Sequence, residues 1–126
     1  MNQNNHINRK IKKIHIISFI YIGTVFYTLA SYYHLKLKES WTFTSALTIA
    51  LPLVFIEYNF SLRGNYLAYS QLNLSSIDIL LITMVFYFIN GWLLNFFVLK
   101  HKINIVREII AFILILLAFK ITTNFK

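Results

Sequence analysis

The chain has 126 residues, of which 58% are hydrophobic and 13% charged, and its formal net charge at pH 7 is +8. Soluble domains have about 25% charged residues, and a soluble chain of this size could not bury so much apolar surface, so an ordinary soluble fold is excluded. The absence of cysteine excludes disulfides, thiolate metal sites and a thiol nucleophile. These totals predict one all-α membrane domain.

Residues 1–13 form a polar, basic N-terminal tail with the sequence MNQNNHINRKIKK. Such a composition cannot bury a core, so the tail is predicted to be disordered or to lie on the membrane against anionic headgroups. A secretory signal peptide is the alternative, but the apolar run that follows is too long for one and has no clear cleavage site. The tail is therefore separated from a transmembrane domain over residues 14–126.

The first predicted span covers residues 14–33, which contain no Asp, Glu, Lys or Arg. As a helix these residues are about 30 Å long, which equals the thickness of the hydrocarbon core. Gly23, Tyr27 and Ser31 are spaced by four, so they share one face. That face is predicted to pack against other helices rather than lipid.

The second predicted span covers residues 41–60, with Pro52 as a kink on its inward face and Glu57 about one turn inside its far end. A link over residues 61–76 follows, with Arg63-Gly64-Asn65 as a turn signal. The third span covers residues 77–99. Its polar face carries Tyr87, Asn90, Gly91 and Asn95.

The fourth predicted span covers residues 103–121. Arg107 and Glu108 are expected to lie at the interface or to pair where the helix enters the membrane. Ala111 and Ala118 are one heptad apart, so they could allow a second helix to approach closely. Four spans with short links predict an antiparallel up-down bundle with both termini on one side.

Orientation follows from the Lys and Arg residues near the span ends. The side that holds the N-terminus has seven: Arg9, Lys10, Lys12, Lys13, Arg63, Lys120 and Lys126. The opposite side has five: Lys36, Lys38, Lys100, Lys102 and Arg107. Both termini are therefore predicted to be cytoplasmic, in a multi-pass protein of the inner (plasma) membrane. Because these residues lie between runs and at the ends, they indicate contacts with lipid headgroups rather than nucleic acid.

Three stretches resemble a known family: Ser31-Tyr32-Tyr33-His34-Leu35-Lys36, then Phe55-Ile56-Glu57-Tyr58, then Asn65 with Ala68-Tyr69 and Gln71-Leu72. They are similar to small four-helix bacterial proteins of the drug/metabolite transporter (DMT) superfamily, a domain of unknown function related to small multidrug resistance transporters. The resemblance implies four membrane helices and transport of a small solute. It does not extend to proton/cation exchange, because that mechanism relies on a carboxylate in the first span, and residues 14–33 have none.

Glu57 is the candidate for an ion or substrate path, because a carboxylate inside a membrane helix is costly and commonly functional. The alternative is a hydrated, interfacial Glu57 paired with Arg63 or the tail. Tyr87, Asn90 and Asn95 could line a polar cavity near the midplane or simply bond neighbouring helices. The tyrosines near the span ends could form an aromatic box that binds a cation. The alternative is that they belong to the aromatic belt at the membrane interface. These tyrosines are Tyr27, Tyr32, Tyr33, Tyr58 and Tyr69.

No nucleophile–base spacing, zinc-binding HExxH or Gly-rich phosphate loop occurs, so neither an enzyme nor a bound cofactor is predicted. His34 and His101 lack a carboxylate constellation, so no metal site is predicted. Two hypotheses stay open. The first is a transporter of a small, cationic or amphipathic solute, working as a homodimer because four short spans enclose little space. The second is a non-transporting assembly factor or accessory subunit whose basic tail contacts a partner or lipid.

Overall fold

The computed structural model describes residues 2–124, and within that range the chain forms helices and no strands. Met1, Phe125 and Lys126, which the predicted tail, domain and orientation count include, lie outside the described residues. The order is α1 (Asn2–Tyr32), a 3-10 segment (Tyr33–Ser40), α2 (Phe43–Leu72), α3 (Ser76–Leu94), a π-helical turn (Asn95–Leu99) and α4 (Ile105–Asn124).

Three helical stretches among the described residues are long and apolar enough to cross a bilayer: Asn5–Ser40, Phe43–Leu72 and Ser76–Leu99. The fourth helix, α4, carries Arg107, Glu108 and Lys120. Its charge-free stretch, residues 109–119, is about 17 Å long, which is short of the hydrocarbon core. The protein is therefore an all-helical membrane protein in which the first three helices have the dimensions of spans.

Residues 2–13 of the N-terminal tail are helical, whereas the tail was predicted to be disordered or to lie on the membrane. Helix α1 begins at Asn2 and continues without a break for 31 residues, which is about 46 Å. Each described side chain over residues 5–15 is exposed. The tail therefore extends α1 as a basic helix beyond the predicted first span instead of lying apart from it.

The predicted turn at Arg63-Gly64-Asn65 is wrong, because α2 continues to Leu72, beyond the predicted end of the second span near residue 60. Gly64 does not form a turn. It lies against α1, where an added Cβ would come within 2.9 Å of Ile20 Cγ1 and 3.0 Å of the Ile20 nitrogen. The glycine is needed because the two helices approach closely, and this packing offsets the low helix propensity of glycine.

The turn between α2 and α3 covers only residues 73–75. Asn73 ends α2 in the left-handed conformation (φ 53°), which asparagine tolerates well. Ser75 then caps α3: its side chain accepts a hydrogen bond from the Asp78 backbone N–H, and the Asp78 carboxylate accepts from the Ser75 backbone N–H at 2.8 Å. This capping box fixes where α3 begins.

Helix α1 lies between α2 and α3 and contacts both, whereas α4 packs mainly on α3. Ile20 and Gly23 of α1 meet Gly64 and Ser61 of α2 respectively, so these two helices are antiparallel. Tyr21 contacts Phe86 and Thr24 contacts Asn90, so residue numbers increase in the same direction along both helices. Helices α1 and α3 are therefore parallel. A small core lies near the tail end of this arrangement: Ile16, Ile20, Ala68 and Ile79.

Candidate functional site

Helices α1 and α3 are joined deep in the bundle by a polar contact. The Asn90 side-chain amide donates to Thr24 Oγ1 at 3.1 Å, and both residues are buried. Thr28, one turn further along α1, is also buried and donates to the Thr24 carbonyl at 2.8 Å. The polar groups of these side chains form hydrogen bonds inside the protein, as they must because lipid offers no partners.

Glu57 is buried, with 8% of its surface exposed. Its carboxylate accepts a hydrogen bond from Ser61 Oγ at 2.8 Å, one turn away on the same helix. The interfacial alternative with Arg63 as partner is wrong, because the one ion pair among the described side chains joins Arg107 and Glu108.

Glu57 lies close to the middle of the bundle in depth. Ser61 packs on Gly23, which is near the centre of the apolar run over residues 14–33. Glu57 is four residues before Ser61, a rise of about 6 Å, so it lies level with Tyr27. The ring of Tyr27 contacts that of Tyr87 with centroids 4.7 Å apart, and Tyr87 is within electrostatic reach of Glu57.

A cavity of about 580 Å³ lies beside this pair of tyrosines, between α1, α3 and the beginning of α4. It extends towards the end of the bundle that holds the 3-10 segment and the π-helical turn. Its lining is formed by Tyr27, Thr28, Tyr32, Leu35, Tyr87, Phe88, Gly91, Trp92, Leu94, Asn95, Leu99, Ile103 and Glu108. The volume is within the range of small-molecule sites, and the lining mixes aromatic and polar groups as such sites do.

The structure brings most of the predicted site residues together but not all of them. Tyr27, Tyr87 and Asn95 line the cavity, while Asn90 and Glu57 are buried close by. In contrast, the other two tyrosines of the predicted path are outside. Tyr58 is 55% exposed and Tyr69 is 66% exposed on the outer surface of α2, so neither faces the cavity.

Some of the residues predicted to pack helices lie in helix contacts and others do not. Gly23 lies against the Ser61 backbone, with an added Cβ 3.1 Å from its nitrogen. At Gly91, by contrast, an added Cβ would meet no described atom within 4 Å, because this glycine lines the cavity. Ala111 is half-buried, while Ala118 and Pro52 are exposed, so Pro52 does not lie on an inward face.

Sequence reasoning missed four residues of the site: Thr24, Thr28, Trp92 and Glu108. The sequence gives no measure of how deeply Thr24 and Thr28 are buried. Glu108 was expected to lie at the interface or to pair with Arg107. It does pair with Arg107, with Nη2 and Oε1 3.5 Å apart, and its side chain also lines the cavity. The usable signal was that Glu108 follows Arg107 within the fourth apolar run, where a carboxylate needs a polar surrounding.

The groups around the cavity can bind a solute. The cavity offers aromatic faces, the Asn95 amide and one carboxylate. No group of three His, Cys, Asp or Glu that could hold a metal ion occurs among the described residues. A small solute could be held by ring faces and a few polar groups, with the buried Thr24–Asn90 contact next to the cavity.

Comparison with known proteins identifies one family. Residues 16–123 match the family model DMT_6, described as "Putative member of DMT superfamily (DUF486)". No curated protein and no solved structure matches the chain.

Proposed function

Because this chain belongs to the DMT_6 (DUF486) family, a transporter-type family of membrane proteins, we propose that it moves a small, cationic or amphipathic solute across the inner (plasma) membrane. The observation that carries the proposal is the cavity of about 580 Å³ beside Tyr27 and Tyr87. Transporter sites are typically found near the midplane, between helices.

The packing suggests which side the solute enters from. Helices α1 and α2 approach closely at Gly23 and Gly64, where an added Cβ on either glycine would meet the other helix. In the direction away from the tail, the cavity continues to Leu35 and Ile103, in the connecting segments. We therefore infer that this conformation is open away from the tail and that transport requires a second conformation, in which helices separate towards the tail.

Glu57 is the group we assign to the closed side of this path. It is a buried carboxylate that accepts a hydrogen bond from Ser61, and it lies within electrostatic reach of Tyr87. When the helices separate, Glu57 would bind a proton or a cation. Glu57→Gln keeps the shape and the Ser61 bond, so it should reduce transport while leaving the folded protein intact.

The proposal includes four crossings, both termini in the cytoplasm, and a homodimer with α4 at the contact. No residue of α4 over Ile105–Asn124 is buried within one chain, so α4 offers a free apolar surface to a second copy. Single cysteines are informative because the chain has none. An impermeant thiol reagent should label Asn73→Cys and Lys120→Cys from the cytoplasm and His101→Cys from the opposite side. Labelling of His101→Cys and Lys120→Cys from one side would contradict the fourth crossing.

Transport itself is tested in liposomes with choline, methylammonium and ethidium as probes. Gly91→Phe should fill the cavity without touching the α1–α2 contact, and it should lower flux at least about tenfold. Met84→Phe, on the exposed surface of the same helix, is the matched control and should leave flux unchanged. Flux no greater than that of protein-free liposomes for each probe would argue against a transporter.

One observation favours an accessory subunit as the second candidate. The tail is a helix that carries Arg9, Lys10, Lys12 and Lys13 beyond the bundle, where it could contact another protein or lipid. Deleting residues 2–13 separates the two. A transporter should keep its flux per inserted molecule, whereas an accessory subunit should lose co-purification with its partner.

A further inference from the structure

The walls of the cavity combine aromatic rings with one formal charge. Tyr27, Tyr32, Tyr87 and Trp92 are among its lining residues. The faces of Trp and Tyr rings are electrostatically negative and attract a cation placed within about 6 Å. Glu108 is the one lining residue that carries a formal charge, and it is also negative. The ring faces and the carboxylate therefore both favour a positively charged ligand.

Glu108 is held in place by the first turn of α4. Its backbone N–H donates to the Asn104 carbonyl at 3.1 Å, and the Asn104 side chain accepts from the Arg107 N–H at 3.3 Å. These bonds start the helix at this point, so Glu108 is carried by a regular helical turn at the edge where α4 meets the cavity.

Arg107 is the neighbour that competes for this carboxylate. Its Nη2 lies 3.5 Å from Glu108 Oε1, but the Arg107 side chain is 79% exposed and does not line the cavity. An exposed pair of this kind contributes little, because water screens it and two long side chains must be held still. A ligand cation inside the cavity can therefore replace Arg107 as the partner of Glu108.

We propose that this cavity binds an alkylated ammonium group, with Glu108 as its counter-charge and the aromatic rings as its walls. The volume of about 580 Å³ accommodates such a group with an attached chain. A fully alkylated ammonium has no N–H to donate, so aromatic walls and a counter-charge suffice to bind it. The identification of this group as the transported solute rests on the proposed function; the binding itself does not.

The basic residues at the same end of the bundle do not reverse this selection. Lys36, Lys38, Lys100, Lys102 and Arg107 are exposed and lie outside the cavity lining. At physiological ionic strength the Debye length is about 8 Å, so solvent screens their charges more than that of the half-buried Glu108. An anion that entered the cavity would still face a carboxylate and the negative faces of the rings.

The test compares choline with 3,3-dimethylbutan-1-ol, which has the same shape but a carbon in place of the charged nitrogen. The chain has two tryptophans, Trp41 and Trp92, so Trp41→Phe leaves the cavity residue Trp92 as the fluorescent reporter. We expect choline to bind at least about tenfold more tightly than its neutral counterpart. Equal affinity for the two ligands would overturn the proposal.

Variants at two glutamates complete the test. Glu108→Gln should remove the preference for choline, and Glu108→Asp, which keeps the charge, should retain part of it. Glu39→Gln is the matched control, because Glu39 is exposed on the 3-10 segment and does not line the cavity. A preference that survives Glu108→Gln, in protein that remains monodisperse, would show that this carboxylate is not the counter-charge.

The failure of this inference can be told from a failure of transport. Binding is measured in detergent, without a gradient. If choline binds with the expected preference but no liposome flux is found, the site stands and the transport proposal fails. If methylammonium or ethidium moves but choline shows no preference over its neutral counterpart, transport stands and the site as described here fails.

Discussion

The two sides of α1 are packed very differently, although both face apolar helices. On the α2 side, α1 and α2 are in contact through Gly23, Gly64 and Ala68, and Ala68 has no exposed surface. On the side of α3 and α4, Gly91 faces open space and α4 has no buried residue. The same residue type, glycine, allows close approach on one side of α1 and borders a cavity on the other.

This difference shows where each requirement is met. The close-packed contact, defined by Gly23, Ser61, Gly64 and Ala68, holds α1 and α2 together by van der Waals contact, since lipid supplies no hydrophobic force between them. The cavity side of α1 has fewer such contacts. There α1 and α3 are joined by the buried Thr24–Asn90 hydrogen bond, next to the cavity lining.

The largest effect is expected from adding a methyl group to Gly64, in the close-packed contact, and to Gly91, beside the cavity. Gly64→Ala should lower the free energy of unfolding by about 1–3 kcal/mol, because its Cβ would press on the Ile20 backbone, which cannot move aside. Gly91→Ala should be neutral or stabilising by up to about 1 kcal/mol, because alanine is the better helix former and there is room. Unfolding in detergent, followed by circular dichroism, measures both.

Similar losses of unfolding free energy in Gly64→Ala and Gly91→Ala would show that the two sides of α1 are packed alike. Gly64→Leu extends the series. It should prevent α1 and α2 from packing, whereas Gly91→Leu should leave the protein folded with a smaller cavity. A stable Gly64→Leu variant would mean that the close approach of α1 and α2 does not exist in the membrane.

A smaller effect is expected at the hydrogen bond between α1 and α3. A double-mutant cycle of Thr24→Val and Asn90→Leu should give a coupling energy of about 0.6 kcal/mol, the average for hydrogen bonds between membrane helices. The pair is buried, so its coupling should exceed that of an exposed residue. Asn59→Leu is the control, because Asn59 is exposed and bonds only to the Phe55 carbonyl of its own helix. Zero coupling between Thr24 and Asn90 would indicate that the contact is not formed.

The smallest effect concerns the tyrosines on the outside of α2. Tyr58→Phe and Tyr69→Phe remove hydroxyl groups from exposed rings, so each should change stability by less than about 0.5 kcal/mol and leave flux unchanged. Tyr87→Phe removes a hydroxyl beside the cavity and should alter flux. A larger loss from Tyr69→Phe than from Tyr87→Phe would place the path on the wrong side of α2.

The sequence was sufficient for the helical class, because a chain this apolar resides in lipid, where helices satisfy their own backbone groups. It was also sufficient for the family, through the three stretches that resemble it. It was insufficient for Gly64. A glycine between Arg63 and Asn65 reads as a turn, and only the position of Ile20 on another helix shows that it is a contact. The cap at Ser75, with Asp78 three residues later, was a better boundary signal and lies close to the predicted start of the third span.

The candidate site shows the same limit at the level of side chains. Tyr27, Tyr58 and Tyr69 are equivalent in sequence terms, but the rotation of α2 against α1 turns the latter two outwards. Glu57 was recognised from its apolar surroundings, whereas its burial depended on α2 continuing to Leu72. Glu108 lines the cavity because of where α4 begins relative to α3, which no local pattern specifies.

The central claim is that a water-accessible cavity lies inside the membrane between α1, α3 and α4. Accessibility of single cysteines to an impermeant, cationic thiosulfonate reagent in intact membranes tests it most directly. Gly91→Cys should react at least about tenfold faster than Met84→Cys on the lipid side of the same helix and than Gly64→Cys in the close-packed contact. A Gly91→Cys rate equal to that of Met84→Cys would contradict the account.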